Sequence, residues 1–264
     1  MNARATLAIA HRVLLQLRRD PRTLALLVVV PCVLMVIMRY AFEGRPETFQ
    51  RIGPPLLGLL PFTTMFVVTS IAMLRERTTG TLERLMSMPI AKLDLLAGYG
   101  IAFALVALVQ TAVVGALSLG PLGLDTPRPA ALLVALALGN ALMGMALGLF
   151  VSAFATTEFQ AVQFMPAAVL PQLLLCGLFV PRDQMAGWLD AISTLMPLTY
   201  AYDALARASS AADLGPGFAV DVAVLVGVTV ALALPIAVGV AFVDGMGTGP
   251  KASLGILISR FNNA

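Results

Sequence analysis

Residues 130–155 read AALLVALALGNALMGMALGLFVSAFA, a continuous run without a charged side chain. A helix needs about 20 apolar residues to cross a hydrocarbon core of roughly 30 Å, so this stretch is long enough to span a membrane. The whole chain shares its character: 59% of the 264 residues are hydrophobic, 12% are charged and the mean hydropathy is +0.92. Soluble domains carry about 25% charged residues. The composition therefore predicts an integral membrane protein and excludes a soluble enzyme.

Five further stretches resemble residues 130–155 in length and apolar content. They predict an all-α membrane protein with six transmembrane helices in one domain, residues 1–243, followed by a C-terminal tail of unknown role, residues 244–264. The two cysteines, Cys32 and Cys176, lie inside apolar spans and are interpreted as packing residues. The six predicted spans are residues 23–39, 52–74, 97–119, 130–155, 161–180 and 218–243.

The distribution of basic residues predicts how these spans are oriented. Lys and Arg residues are retained on the cytoplasmic side during membrane insertion. With six spans, eleven of the 17 basic residues fall on the same side as the N-terminus. Both termini are therefore expected in the cytoplasm, in a multi-pass protein of the cell (inner) membrane.

The segment before the first span is amphipathic. Leu7, Ala10, Leu14 and Leu17 recur at helical spacing, and basic residues occupy another face. Residues 3–20 are therefore predicted to form a helix that lies in the membrane interface and ends before a proline. A solvated basic N-terminus without such a helix is the alternative interpretation.

The connection between the second and third spans reads RERTTGTLERLMSMP over residues 75–89. Gly80 can act as an N-cap, which places Glu83 in the first helical turn, where a carboxylate meets the positive end of the helix dipole. Leu82 and Leu85 then share a small apolar face. The pattern predicts a short helix against the cytoplasmic membrane surface, although an ordinary charged loop is equally consistent with it.

The longest exposed segment, residues 181–217, lies between the fifth and sixth predicted spans. Apolar residues from Met185 to Met196 follow helical spacing, and Trp188 has the amphipathic ring that settles at the headgroup level. Pro197 is expected to end this helix, and a second short helix is predicted over residues 200–208. An extracellular helical hairpin that dips into the outer leaflet and a helix that lies flat on the outer surface are equally consistent with this pattern.

Ionisable residues are missing from the middle of every predicted span. Arg39 and Asp221 fall inside the spans, and both lie near the outer ends. Proton- and ion-coupled carriers usually need such residues at membrane depth, so a secondary transporter is disfavoured. The polar residues of the spans can bond between helices, which is the favoured interpretation, or line a substrate path. The candidates for that path are Thr63, Thr64, Asn140, Gln163 and Gln172.

The sequence contains no group of residues with obvious catalytic chemistry. The single histidine, His11, has no partner in sight. Neither Lys92 nor Lys251 follows a glycine, so no Gly-Lys-Ser/Thr phosphate-binding loop is present. We expect no cofactor, no metal and no nucleic acid to bind, and predict that the chain is not an enzyme. Work against a gradient would need energy from another chain.

Several motifs, in order and at matching spacing, resemble the permease subunits of type-2 ATP-binding-cassette exporters. The resemblance covers residues 1 to about 243 and is greatest to the drug and lipid branch, which includes daunorubicin-resistance-like exporters. Residues 244–264 depart from the family pattern. The segments that carry the resemblance are Arg75–Leu85 with Pro89, Thr157–Ala161, Pro171, Gly177–Pro181 and Met196–Tyr200.

The resemblance implies an architecture and a set of roles. Residues 3–20 would be a connecting helix, and Gly80–Met88 would be a coupling helix that docks on a separate ATPase, which binds ATP and Mg²⁺. Two permeases, identical or paralogous, and two ATPases would export a hydrophobic or amphipathic substrate such as a drug, lipid or glycolipid. The residues expected to contact the ATPase are Glu76, Arg77, Gly80, Thr81, Leu82, Glu83, Arg84 and Leu85, and those expected at an outer gate are Trp188, Pro197 and Tyr200.

A six-span channel or carrier that works without ATP is the alternative function. An ATPase that follows the chain through purification favours the exporter, whereas transport in liposomes without ATP favours the alternative.

Overall fold

The fold is that of a computed structural model of the 264-residue chain. The structure describes residues 2–86, 91–210 and 213–245, apart from the side chains of residues 82, 83, 86, 92 and 234–245. The regular elements in these ranges are all helical. They are α1 (Ala3–Arg19), α2 (Pro21–Ala41), α3 (Pro46–Thr78), α4 (Thr81–Met86), α5 (Lys92–Leu119), α6 (Ala130–Ser152), α7 (Glu158–Leu175), a 3-10 turn (Arg182–Gln184), α8 (Gly187–Ser193), α9 (Pro197–Ser209) and α10 (Gly215–Gly245).

Five of the described helices are long and apolar enough to cross a membrane. They are α2, α3, α5, α6 and α10, which coincide with the first four and the sixth predicted spans. The helix at the fifth predicted span, α7, has 18 residues and contains Pro166 and Pro171. At 1.5 Å per residue it measures about 27 Å, close to the minimum for a span. The described part of the chain thus has five clear candidates where six spans were predicted.

Several helices differ in extent from the predicted spans, and the ends of α3 and α7 differ for identifiable reasons. The charged segment after residue 74 was expected to be a connection, but α3 continues to Thr78. Hydropathy marks only the part of a helix that lies in hydrocarbon, and a helix can continue into water with charged side chains. In contrast, α7 ends at Leu175 rather than near residue 180, because Gly177 has a φ of 101°, which glycine adopts readily and a helix cannot contain.

The core of the bundle is the contact between α3 and α6. A Cβ atom at Gly144 would collide with the carbonyl oxygen of Phe62, and one at Gly148 would collide with the carbonyl oxygen of Phe66. Both phenylalanines are fully buried. Helix backbones approach this closely where small residues face the neighbouring helix. No layer of side chains therefore separates α3 from α6 along these two turns.

The end of the bundle that holds α1 and α4 is called the inner end, and the opposite end is called the outer end. At the inner end α1 lies against the first turns of α5 and buries Ile9 and Val13. Gly98 of α5 permits this contact, because a Cβ atom there would lie 2.6 Å from Cγ2 of Ile9. Leu7, which the sequence pattern assigned to the apolar face, is instead 61% exposed.

Near the outer end, α8 and α9 form a helical hairpin that enters the bundle. Leu205 of α9 would contact any side chain at Gly58, which lies about 18 Å along α3 from its start. Leu198, two turns earlier in α9, is buried in one cluster with Phe62 and Leu225. Because Ala208 packs with residues close to the outer end, α9 begins well inside the bundle and runs outward.

Candidate functional site

The last turn of α3 connects to several helices at the inner end. Arg75 forms a two-pronged ion pair with Glu158, the first residue of α7, with Nε to Oε1 at 2.7 Å and Nη2 to Oε2 at 3.0 Å. Its Nη1 atom lies 3.7 Å from a carboxylate oxygen of Asp20, between α1 and α2. One planar guanidinium group therefore joins the end of α3 to the start of α7 and to the α1–α2 junction.

The next two residues of α3 extend this set of contacts. Arg12 of α1 donates to Oε1 of Glu76 at 3.0 Å and to the hydroxyl oxygen of Tyr99. Arg77 donates to the carbonyl oxygen of Ser152, the last residue of α6, at 2.6 Å. We call the seven residues that join α1, α3, α5, α6 and α7 the inner junction. They are Arg12, Arg75, Glu76, Arg77, Tyr99, Ser152 and Glu158.

The two carboxylates that contact Arg75, Glu158 and Asp20, both have a lowered pKa. The hydrogen bonds and charge of Arg75 hold the pKa of Glu158 below its usual value. Hydrogen bonds from the hydroxyl and amide of Thr23 lower the pKa of Asp20, and the charge of Arg75 contributes in the same direction. Both carboxylates are therefore ionised at neutral pH, when they can hold the guanidinium of Arg75.

A short turn at Gly80 connects α3 to α4. Gly80 has a φ of 69°, its amide donates to the carbonyl oxygen of Arg77 at 3.2 Å, and its own carbonyl oxygen accepts from the amide of Arg84 at 3.1 Å. It thus ends α3 and provides the N-cap of α4 that the sequence suggested. A Cβ atom at Gly80 would meet no atom within 4 Å, so backbone conformation rather than space favours glycine here.

The residues expected to contact an ATPase fall into two groups, those that bond or pack within the chain and those that lie on α4 and the turn before it. Glu76, only 8% exposed, and Arg77 bond to other helices of the chain. Leu85 packs against the same buried cluster as Met73 and Tyr99. The remaining positions belong to α4 and the turn before it: Gly80 and Thr81 are partly buried, Arg84 is exposed, and the side chains of Leu82 and Glu83 lie outside the described residues.

Ion pairs also hold the hairpin at the outer end. Arg182 bridges two helices of the hairpin, with Nε 2.9 Å from Asp190 of α8 and Nη1 3.3 Å from Asp203 of α9. Arg207 of α9 pairs with Asp221 of α10 at 3.0 Å. These contacts fix α8 to α9 and α9 to α10, so the hairpin is attached to a transmembrane candidate at its outer side.

The three residues expected at an outer gate all belong to this hairpin. Trp188 of α8 is 67% exposed. Pro197 is the first residue of α9, where a missing amide proton costs no helical hydrogen bond, and α8 has already ended at Ser193. The hydroxyl of Tyr200 donates to the carbonyl oxygen of Thr194 at 2.8 Å, across the turn between α8 and α9.

Two of the five polar residues proposed for a substrate path lie on α3. Thr63 donates to the carbonyl oxygen of Leu60 in its own helix at 2.9 Å. Thr64 accepts a hydrogen bond from the side-chain amide of Gln110, which also donates to the carbonyl oxygen of Leu27 at 3.0 Å. Thr64 thus takes part in the interhelical bonding that the sequence interpretation favoured.

The other three polar residues lie at separate places. Asn140 of α6 is 1% exposed, faces Gly58, and has no hydrogen-bond partner among the described residues. Gln163 of α7 is exposed, whereas Gln172 is buried and donates to the carbonyl oxygen of Ala168 at 2.7 Å. An open apolar groove of about 250 Å³ between α5, α6 and α10 contains none of the five side chains.

Sequence reasoning did not single out Arg12, Asp20 or Arg182. Arg12 lies beside the buried stripe of α1, which is formed by Thr6, Ile9, Ala10 and Val13, so no break in the pattern marks it. The pairing of Arg182 with Asp203 joins residues 21 positions apart across two turns, and no local pattern relates them.

A bundle with several helices of membrane-spanning length and with its ion pairs near the two ends defines a multi-pass membrane protein. The model of the ABC-2 type transporter family matches residues 4–208, and the chain belongs to this family. The family is one of transmembrane components, so the chain is an ABC transporter permease. The assignment made from the sequence motifs is confirmed.

Two relatives illustrate the range of this family. The chain is 24% identical over 164 residues to the ABC transporter G family member 20 of Dictyostelium discoideum, a match that covers 61% of this chain and 22% of that protein. It is 25% identical over 150 residues to the probable multidrug ABC transporter permease YbhR of Escherichia coli, which covers 57% of this chain and 41% of the relative. In each case the match covers less than half of the length of the curated relative.

Proposed function

We propose that this chain is the membrane permease of an ATP-driven exporter for a hydrophobic or amphipathic substrate, and that a separate ATPase subunit powers it. The observation that supports this proposal is the inner junction. The short helix α4 follows the junction across a two-residue turn, and the junction bonds α3 to α1, α6 and α7. A force applied to α4 would therefore reach most of the bundle through directed hydrogen bonds rather than through loose loops.

The proposed partner docks on α4 and the turn before it. We assign the contact to Gly80, Thr81, Leu82, Glu83, Arg84 and Leu85. Glu76 and Arg77 would contribute as the links that carry motion of α4 into α1 and α6, because their side chains already bond within the chain. ATP and Mg²⁺ would bind to the ATPase, and two permeases, identical or paralogous, would assemble with two ATPases.

The proposed path for the substrate runs beside α7, which we take as a transmembrane span, the fifth along the chain. This helix combines two prolines with Gln163 and Gln172, a composition better suited to contact with protein or a polar cavity than to lipid. Thr63 and Asn140 would add polar groups on α3 and α6. Trp188, Pro197 and Tyr200 would form the outer gate as parts of the hairpin that enters the bundle.

The proposed location is the cell (inner) membrane, with both termini in the cytoplasm. Basic residues concentrate on the side of the N-terminus, which is the side where α4 would meet a cytoplasmic ATPase. The inner end of the bundle would then face the cytoplasm, and the hairpin would face outward.

The test is to measure ATP hydrolysis by the co-purified ATPase in the presence of this chain. Leu82→Ala combined with Glu83→Ala should lower permease-stimulated hydrolysis, by about tenfold if the two side chains together contribute 1.4 kcal/mol to docking. Leu26→Ala with Glu43→Ala, two exposed residues of the same types away from α4, is the matched control and should retain stimulation. The proposal fails if the first variant reaches the membrane and stimulates hydrolysis normally, or if liposomes with this chain alone transport substrate without ATP.

A further inference from the structure

The side of α1 that faces away from α5 carries apolar and basic residues together. Leu7 and Leu15 are exposed by 61% and 38%. Arg4, His11 and Arg18 are exposed and follow the same helical stripe, because residues three, four and seven positions apart lie on one face. The helix contains no acidic residue. A leucine-containing basic stripe is typical of helices that lie at the surface of an anionic membrane.

The acidic side chains near α1 are already engaged inside the protein. Each of the four that the structure describes at the inner end has a bonded partner, and none of these four forms an ion pair with an exposed arginine of α1 or of the first turn of α2. Arg4, Arg18, Arg19 and Arg22 have no ion-pair partner among the described residues. The internal pairs are Asp20 with Thr23 at 2.7 Å, Glu76 with Arg12 at 3.0 Å, Asp94 with the amide of Asn2 at 2.9 Å, and Glu158 with Arg75 at 2.7 Å.

The position of Arg18, Arg19 and Arg22 along the chain indicates how deep they lie in the membrane. Arg22 lies in the first turn of α2, and the exposed face of that helix then becomes apolar with Leu26, Val29 and Val33. An arginine one turn before a lipid-facing stretch lies where hydrocarbon meets the headgroups, and its long side chain reaches the phosphate level. Arg18 and Arg19 end α1 at this same boundary.

We propose that the outward face of α1, with Arg18, Arg19 and Arg22, binds the headgroups of anionic phospholipids. An anionic phospholipid offers negative phosphate to the arginines and acyl chains to Leu7 and Leu15 at the same time. A soluble anion or a nucleic acid would leave both leucines in water. Because α1 is bonded to α3 through the contact of Arg12 with Glu76, the lipid would also hold one side of the inner junction in place.

The test uses the full chain purified in detergent and titrated in mixed micelles with phosphatidylglycerol or phosphatidylcholine, with bound lipid counted by native mass spectrometry. Arg18→Gln with Arg22→Gln should weaken phosphatidylglycerol binding by about thirtyfold, since each arginine near an anionic surface contributes roughly five- to sixfold. Binding of phosphatidylcholine should not change. Arg45→Gln with Arg51→Gln removes the same charge from exposed outer-end residues and should leave phosphatidylglycerol binding intact.

Two further variants separate a lipid from a free anion. Arg18→Lys with Arg22→Lys keeps the charge and should retain phosphatidylglycerol binding. Leu7→Ser with Leu15→Ser keeps every charge but should weaken it. The proposal is overturned if Arg18→Gln with Arg22→Gln binds phosphatidylglycerol like the wild type, if the outer-end control loses as much, or if inorganic phosphate competes as well as the lipid does.

Discussion

Arg75 joins three segments of the chain through one side chain. Its bidentate contact with Glu158 has good geometry, but both side chains are about half exposed, at 53% and 52%. Exposed ion pairs contribute about 0–1 kcal/mol to stability, because water screens them and long side chains lose entropy when they are held. The planar fork of Arg75 therefore matters more for the position of α7 relative to α3 than for the free energy of unfolding.

The pH dependence of stability tests this pair. The folded protein lowers the pKa of Glu158, so the stabilisation is present above the pKa of the unfolded chain and is lost as the pH falls through the folded value. Arg75→Gln should melt lower than the wild type at pH 7, by less than about 4 °C, and the two should converge once the pH has fallen below the folded pKa of Glu158. Arg45→Gln, which removes an exposed arginine at the outer end that has no ion-pair partner among the described residues, is the control. A difference that does not shrink as the pH is lowered would assign the effect of Arg75 to something other than Glu158.

At the scale of the element, α4 depends on the conformation of one residue. Gly80 has a φ of 69°, in the left-handed region, and a Cβ atom at this position would meet no neighbouring atom. A β-branched residue in this conformation costs on the order of 1–3 kcal/mol, whereas asparagine tolerates it. The direction in which α4 leaves α3 therefore depends on the left-handed backbone conformation of Gly80 and not on side chains packed around that residue.

Two substitutions at Gly80 separate conformation from contact. Gly80→Val should strongly reduce permease-stimulated ATP hydrolysis, because α4 would leave α3 in another direction. Gly80→Asn adds a side chain of similar size but should retain most of the stimulation. Hydrolysis by the co-purified ATPase measures both effects. Equal loss in the two variants would mean that the absence of a side chain, rather than the left-handed conformation, is required.

The α3–α6 contact is the second element whose stability depends on glycine. Gly144→Ala should destabilise the protein by about 1–3 kcal/mol, the usual cost of forcing an extra carbon into a packed interface. Gly227→Ala in α10 is the matched control, because a Cβ atom there meets no atom within 4 Å. It should be neutral or slightly stabilising, since alanine favours a helix over glycine. Thermal unfolding in detergent compares the two, and equal melting temperatures would contradict close backbone contact.

For the whole molecule, the sequence predicts which segments form long helices, but it does not predict where each helix ends or which side chains bond one helix to another. Long apolar runs have one stable arrangement in lipid, so α2, α3, α5 and α6 follow directly from composition. The end of α7 at Gly177 depends on one backbone angle, which hydropathy cannot report. The inner junction was also beyond reach, because Arg75 and Glu158 are 83 residues apart and meet only after the helices have packed.

The topology of the whole molecule can be measured by chemical labelling. In a variant with Cys32→Ala and Cys176→Ala, Gly44→Cys should react with a membrane-impermeant maleimide from outside intact cells. Ala8→Cys should react only after the membrane is permeabilised. Both positions are exposed in the structure, so lack of reaction reports the side of the membrane rather than burial. Labelling of Ala8→Cys in intact cells would contradict a cytoplasmic N-terminus.

The contact of Gly144 with Phe62 and of Gly148 with Phe66 also limits how the molecule can move. Two helices whose backbones touch cannot rotate past each other unless they first separate by the width of a side chain. We therefore expect α3 and α6 to travel as one rigid body during a transport cycle. Any opening large enough for a passing molecule would then form on the other sides of this pair, where α2, α7 and α9 pack through side chains that can change rotamer.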